Sequence, residues 1–185
     1  MAEAEAATYE EGEDEEEKRE IGKLAVWTVT SAKPGNGVEL MRDDNLETYW
    51  QSDGAQPHLV NIQFQKKVKL QQIAIYIDFK LDESYTPSKI SVRLGNSFHD
   101  LREIRQVDLE EPVGWIYISL RPNDSSSVFL RAYLVQVAVL ASHQNGRDTH
   151  MRQVKIYGPR TDVVRAMGHP MRFTSEEFNM YATIR

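Results

Sequence analysis

The chain has 185 residues, with 28 acidic and 22 basic side chains for a formal net charge of −6, and no cysteine. That length suits one domain with tails and a substantial core, and no apolar run reaches the 18 or so residues that a membrane-spanning helix needs. The lack of cysteine favours a reducing compartment, cytosol or nucleus, and the first residues form neither a signal-peptide core nor a basic transit peptide.

The charge is unevenly divided. Residues 1–20, MAEAEAATYEEGEDEEEKRE, hold ten acidic and two basic side chains, whereas 21–185 hold eighteen and twenty. The acidity is therefore a property of the tail, which is Glu-rich, poor in apolar residues and expected to be solvated and disordered. The remainder has no basic stripe and no nucleic-acid-binding motif, so no nucleic-acid partner is expected.

From Leu24 onward the pattern is that of short strands separated by turn chemistry. LAVWTVT (24–30) is followed by the breaker KPGNG (33–37). HLVNIQF (58–64) alternates, with Val60, Ile62 and Phe64 inward. LQQIAIYID (70–78) places Ile73, Ile75 and Ile77 on one face, and KISVRLG (89–95) does the same with Ile90, Val92 and Leu94. EIRQVDL (103–109), WIYISL (115–120), VFLRAYLVQVAVL (128–140) and RQVKIYG (152–158) complete a set of about eight strands. An all-β, two-layer jelly-roll sandwich over residues 21–160 is the natural architecture. Trp27 and Trp50 are expected at its core or core edge. In the segment 161–185, Thr174 and Glu177 have capping-box spacing and Phe173 and Phe178 that of a hydrophobic staple, which predicts a short helix over 175–181 and a flexible end.

Three loops are dense in polar groups: 42–58, 80–89 and 142–152. Loops at one end of a sandwich gather in space and commonly carry binding function, but strand order decides whether these three do. No hydrolase is indicated, because Ser52, Asp53 and His58, like Asp148 and His150, are ordinary turn residues outside any nucleophile setting. The five His are scattered, which does not suit zinc, and Asx turns explain the Asp43–Asp53 acids as well as a structural calcium would. No cofactor is called for.

HQNGRDTHMR (143–152) follows the apolar run YLVQVAVL (133–140) after only Ala141 and Ser142. A hairpin loop, with Asn145-Gly146 in a turn of positive φ, accounts for Asn145, Gly146 and Asp148. It does not account for Arg147, His150 and Arg152, long donors that suit capture of a polar or acidic peptide. Tyr85, in SYTPS, lies in a loop stiffened by Pro87. It either presents its ring to a partner or folds back on its own loop.

RDDNLETYWQSDGAQPHLVNIQF, DESYTPSKISVRLGN and HQNGRDTHMRQVKIY closely resemble the DOC-domain subunits of the anaphase-promoting complex, a ubiquitin ligase. The resemblance runs from about Arg19 to Pro159 and returns in Ile184-Arg185. It implies a galactose-binding, discoidin-like jelly roll that is not itself an enzyme. It implies further a co-receptor for the destruction-box degron of cell-cycle substrates, working with a propeller-type activator subunit in the nucleus and cytoplasm. The degron contacts would fall on Asp53, Ser84, Tyr85, Ser88, Asn145, Arg147, Asp148, Thr149 and His150. Ile184 and Arg185 would form a tail docking into a tetratricopeptide-repeat subunit. The rival on the same fold is a carbohydrate-binding module, which the absence of cysteine and of a signal peptide disfavours.

Overall fold

In the computed structural model, which describes residues 18–122 and 128–160, the alternating segments pair into two antiparallel sheets. Strands β1 (Lys18–Glu20), β2 (Ala25–Val29), β3 (Trp50–Gln51), β4 (His58–Leu70), β5 (Gln72–Asp78) and β6 (Pro87–Gly95) come first. They are followed by β7 (Arg102–Asp108), β8 (Val113–Ser119), β9 (Leu130–Ser142), β10 (His150–Met151) and β11 (Gln153–Pro159). One sheet has the order β1-β11-β5-β8, the other β2-β4-β9-β6-β7, and β3 and β10 form a separate short ribbon. The only α-helical turn among the described residues is α1 (Phe79–Asp82). All eight expected strands are present; β1, β3 and β10 are additional. The expected C-terminal helix and the Ile184-Arg185 tail lie outside the described residues, as does the acidic stretch up to residue 17.

Period-two alternation is what builds the core, because it puts every second side chain on one sheet face. Val60 and Ile62 of β4, Ile73, Ile75 and Ile77 of β5, and Val92 of β6 are fully buried and meet Val135, Val137 and Val139 of β9 in one cluster. Trp50 is also fully buried and Trp27 nearly so. β1 has no apolar alternation at all. It adds to the sheet edge through backbone pairing with β11, Lys18 opposite Pro159 and Glu20 opposite Tyr157. Lys18 then lies 5.5 Å and 5.3 Å from the ring centroids of Tyr117 and Tyr157. The fold therefore takes in three residues that composition alone grouped with the tail.

Strand directions sort the loops. β4 starts at His58, opposite Val139 near the end of β9, while β5 ends at Asp78 and β11 starts at Gln153, opposite Tyr76. The segments 42–58, 79–86 and 142–152 thus converge on one end of the sandwich. The segments 64–71 and 95–102, and the residues Lys18 and Pro159 where the described fold begins and ends, belong to the other.

Candidate functional site

The floor of the converged end is a buried ionic cluster. Asp78 caps α1 by accepting from the backbone N–H groups of Lys80 (3.0 Å) and Leu81 (3.2 Å), and that single turn carries Asp82 inward. Arg152 grips Asp82 with two prongs, Nε to Oδ2 and Nη2 to Oδ1, each 2.8 Å. His150 Nδ1 donates to Oδ1 at 3.0 Å, and Arg152 Nη1 reaches the Leu46 carbonyl at 2.8 Å. Asp82 is 4 % exposed, Arg152 5 % and His150 7 %. Burial pushes the Asp82 carboxyl up, but the hydrogen bonds from His150 and Arg152, with the Arg152 charge, outweigh it and hold its pKa below 3.8. The hydrogen bond with Asp82 raises that of Arg152 against the opposing effect of burial. The two long donors at 150 and 152 that looked available for a ligand are bonded inside the protein.

Above this floor is a ring stack. His150 lies between Tyr49 (centroids 4.0 Å apart, 21°) and Tyr85 (4.2 Å, 11°). Tyr85 therefore folds back, onto the neighbouring loop rather than its own, and keeps 39 % of its surface open. Pro87 holds Thr86 extended at φ −71°, ψ 129°, as its restriction of the preceding residue requires. Glu83, at φ 45°, makes the sharp reversal between Asp82 and the Tyr85 turn.

Backbone bonds lock the three loops together. The Thr149 N–H donates to Ser52 Oγ (2.8 Å), the Ser52 N–H to the Thr149 carbonyl (3.1 Å), and Thr149 Oγ1 to the Tyr85 carbonyl (3.1 Å). The His143 N–H donates to the Thr86 carbonyl at 2.8 Å. His58 Nε2 lies 2.7 Å from the Arg147 carbonyl; since a carbonyl only accepts, that nitrogen carries the proton. Gln56 Nε2 donates to the Gly146 carbonyl at 3.0 Å. Ser52 and His58 each serve a different backbone partner and do not form a nucleophile–base pair.

The turn at 143–146 differs from the expected Asn-Gly type. Positive φ falls on Gln144 (52°) and Asn145 (56°), while Gly146 has φ −57°. Glycine is needed at 146 for room: a Cβ there would overlap the backbone carbonyl of Ser84.

What remains on the outside is a rim. Asp53, Tyr85, Asn145 and Arg147 are exposed; Ser84, Ser88 and Asp148 are half-buried. Thr149 and His150 lie beneath, fully or almost fully covered. Ser88 stands at the irregular start of β6, where its carbonyl accepts from the Leu109 N–H, at the margin of the group. Buried atoms of this end, His58 Nδ1, His143 Nε2, Asp148 Oδ1 and His150 Nε2, find no hydrogen-bond partner among the described residues. The acids of the 42–53 loop hold that loop itself. Asp43 accepts from the Asn45 N–H (2.9 Å), Thr48 Oγ1 (2.7 Å) and Gln153 Nε2 (2.6 Å), and Asp44 pairs with Lys155 at 2.8 Å. No three His, Cys, Asp or Glu side chains converge among the described residues in a way that could hold a metal. The buried Asp82–Arg152 pair and the tether from Gln153 were missed from the sequence, since Asp82 resembles any loop acid.

Fold and loop geometry together define a discoidin-like jelly roll whose three polar loops are bonded to one another at one end. Solved structures bear out the class: a family 32 carbohydrate-binding module from Clostridium perfringens NanJ, in complex with galactose, superposes with a TM-score of 0.63 at 14 % identity. That match covers 76 % of this chain and 98 % of the module, and at such identity it speaks for the fold alone. The family model for anaphase-promoting complex subunit 10 matches residues 2–183. Anaphase-promoting complex subunit 10 of Homo sapiens is 59 % identical over 167 residues, 90 % of this chain and 88 % of the relative. The Drosophila melanogaster protein of the same name is 50 % identical over 171 residues, 90 % of this chain and 85 % of the relative. The chain belongs to the anaphase-promoting complex subunit 10 family.

Proposed function

We propose that the chain is a non-catalytic subunit of the anaphase-promoting complex and serves it as co-receptor for the destruction box. It would work beside the propeller-type activator, in the nucleus and cytoplasm. The observation that carries this reading is the locking of three loops into one rim, so that Asp53, Tyr85, Asn145 and Arg147 are displayed with little freedom left to lose on binding. Ser84, Ser88 and Asp148 flank them, and Thr149 and His150 act by holding Tyr85 in place. A degron shared between this rim and the activator leaves more slowly than from either, because the second contact is effectively intramolecular. Slower release allows more ubiquitin transfers per encounter.

The test is the triple variant Tyr85→Ala, Asn145→Ala, Arg147→Ala. Asn145 and Arg147 are exposed and Tyr85 gives up one ring stack on His150, so the fold should persist with a melting temperature only slightly lowered, while affinity for a destruction-box peptide should fall about 100-fold or more, since Tyr and Arg dominate such contacts. Substrates should receive shorter ubiquitin chains at unchanged incorporation into the ligase. Wild-type chain lengths would overturn the reading. A saturable signal on a glycan array, lost in the same variant, would replace the degron by a carbohydrate.

Assembly is proposed to run through Ile184-Arg185, an aliphatic side chain for an apolar pocket followed by a guanidinium and a carboxylate for charged anchors. Deleting the pair should weaken capture of the repeat subunit by roughly 30- to 1,000-fold, the loss expected of a hot spot of about 2–4 kcal/mol. A chain with one residue added after Arg185 reports on the carboxylate separately. Equal recovery of all three forms would refute the docking tail.

A further inference from the structure

The end of the sandwich opposite the three-loop rim gathers cations that form no ion pair among the described residues. Lys69 of β4 and Arg131 of β9 stand directly opposite each other in register, both exposed, in the arrangement that destabilises a strand pair when the charges are alike. Lys66 and Lys67 project beside them, where the β4–β9 register breaks between Gln63 and Val68. Arg131 and Arg102 flank a cleft of about 240 Å³ with Leu94, Ile104 and Leu130 among its apolar lining. The one carboxylate of that cleft, Asp100, accepts from the backbone N–H groups of Asn96 (2.9 Å) and Ser97 (2.7 Å), which favour its ionised form, so the cleft carries one anion against two cations. None of these five cations has an ion pair among the described residues, and they outnumber the single carboxylate of the cleft.

The acidic segment leaves the fold at this same end. Lys18 pairs with Pro159, the adjacent Gly158 packs against the Lys69 carbonyl, and Lys69 faces Arg131. Lys18 therefore stands within about 15 Å of the cleft, three steps of roughly strand spacing. Residues 1–17 contain nine carboxylates and no basic side chain, with a single aromatic, Tyr9, between Thr8 and Glu10. The nine residues from Tyr9 to Lys18 reach about 30 Å when extended, enough to cross the cationic face to the cleft. A cavity of about 150 Å³ already accommodates a benzene ring, so the cleft has room for a tyrosine side chain. Residues 161–185 start from the same end but carry three acidic and three basic side chains, and so offer no matching charge.

We propose that the acidic segment 1–17 docks across the Lys66–Lys69, Arg131 and Arg102 face, with Tyr9 at the cleft, as an intramolecular counter-charge. Any acidic partner of that face then has to displace the segment.

The full-length chain lacks cysteine, so Thr8→Cys places one spin label beside Tyr9. Amide signals of residues 66–69, 94–96 and 130–132 should lose about half their intensity or more at roughly 0.05 M salt and recover at about 0.5 M, as screening shortens the reach of the charges. The recognition loops at the other end should be untouched. The pair Lys69→Gln, Arg131→Gln in the labelled chain should abolish the effect while leaving the melting temperature equal or higher. Broadening that is absent, that covers both ends alike, or that survives this double substitution would overturn the proposal. So would broadening of this face by a label at Ala182→Cys but not by the one at Thr8→Cys, which would make the C-terminal segment the occupant.

Discussion

Replacing Asp82 by alanine is expected to lower the unfolding free energy by about 3–5 kcal/mol, the range found when one partner of a buried ion pair is removed. The cost comes chiefly from what is left behind. Arg152, 5 % exposed, would keep the Leu46 carbonyl and the Tyr49 ring face but no counter-charge for its guanidinium, and His150 Nδ1 would lose its acceptor. In a domain of this size, where total stability is about 5–15 kcal/mol, that is a large share. Urea unfolding of the wild type and the Asp82→Ala chain measures it directly. Asp82→Asn keeps the shape and one acceptor but not the charge, and should fall between the two. A loss below about 1 kcal/mol for the alanine variant would show that the cluster is hydrated and of surface character.

The same carboxylate sets an acid limit. Because the pKa of Asp82 is depressed in the folded state, its stabilising contribution is complete above the unfolded value near 3.8 and disappears as pH falls through the lower folded value. The wild-type chain should therefore lose stability below about pH 4 more steeply than Asp82→Ala, and the two curves should approach each other at the acid end.

Strands with a solvated side and a buried side were legible, because burial on one face leaves a period-two trace: every residue of the Ile73, Ile75, Ile77 and Ile90, Val92, Leu94 sets is at most 7 % exposed. β1 left no such trace, since an edge strand of three residues is held by backbone bonds and by Lys18 lying over Tyr117 and Tyr157. The three converging loops were visible as polar stretches, but not how each residue within them would be used. Arg147 and Arg152 look alike in HQNGRDTHMR, yet one is exposed and the other pairs with an aspartate 70 positions away. That distinction is non-local. Its nearest local sign is the way His150 and Arg152 straddle the buried Met151, a spacing that puts both on the same side of a strand.

Gly146→Ala is the second substitution expected to have a large effect, and it acts on the end where the three polar loops converge rather than on the core. At φ −57°, ψ 137° the backbone of Gly146 suits alanine, so the conflict is purely steric. The new methyl group would overlap the Ser84 carbonyl oxygen and lie 2.8 Å from its carbon and 3.2 Å from the His143 carbonyl, all of it backbone without a rotamer to change. The loops 83–85 and 143–148 must then move apart. The ties nearest the break are the Thr149 Oγ1 bond to the Tyr85 carbonyl and the Gln56 bond to the Gly146 carbonyl, so Tyr85, Asn145 and Arg147 would lose their common frame. Overpacking of this kind costs about 1–3 kcal/mol of stability. Affinity for a destruction-box peptide should fall by about 100-fold, or ~2.7 kcal/mol, because two side chains of the types that dominate interfaces are displaced together. Gly114→Ala separates the two effects. Gly114 has φ +115° and open space around it, so alanine there should cost stability through backbone strain yet leave peptide affinity unchanged. Calorimetric titration of the wild type and both variants with one peptide decides the matter. Equal affinity in Gly146→Ala would mean that the rim tolerates separation of its loops, and that their locking is not what prepares it for a ligand.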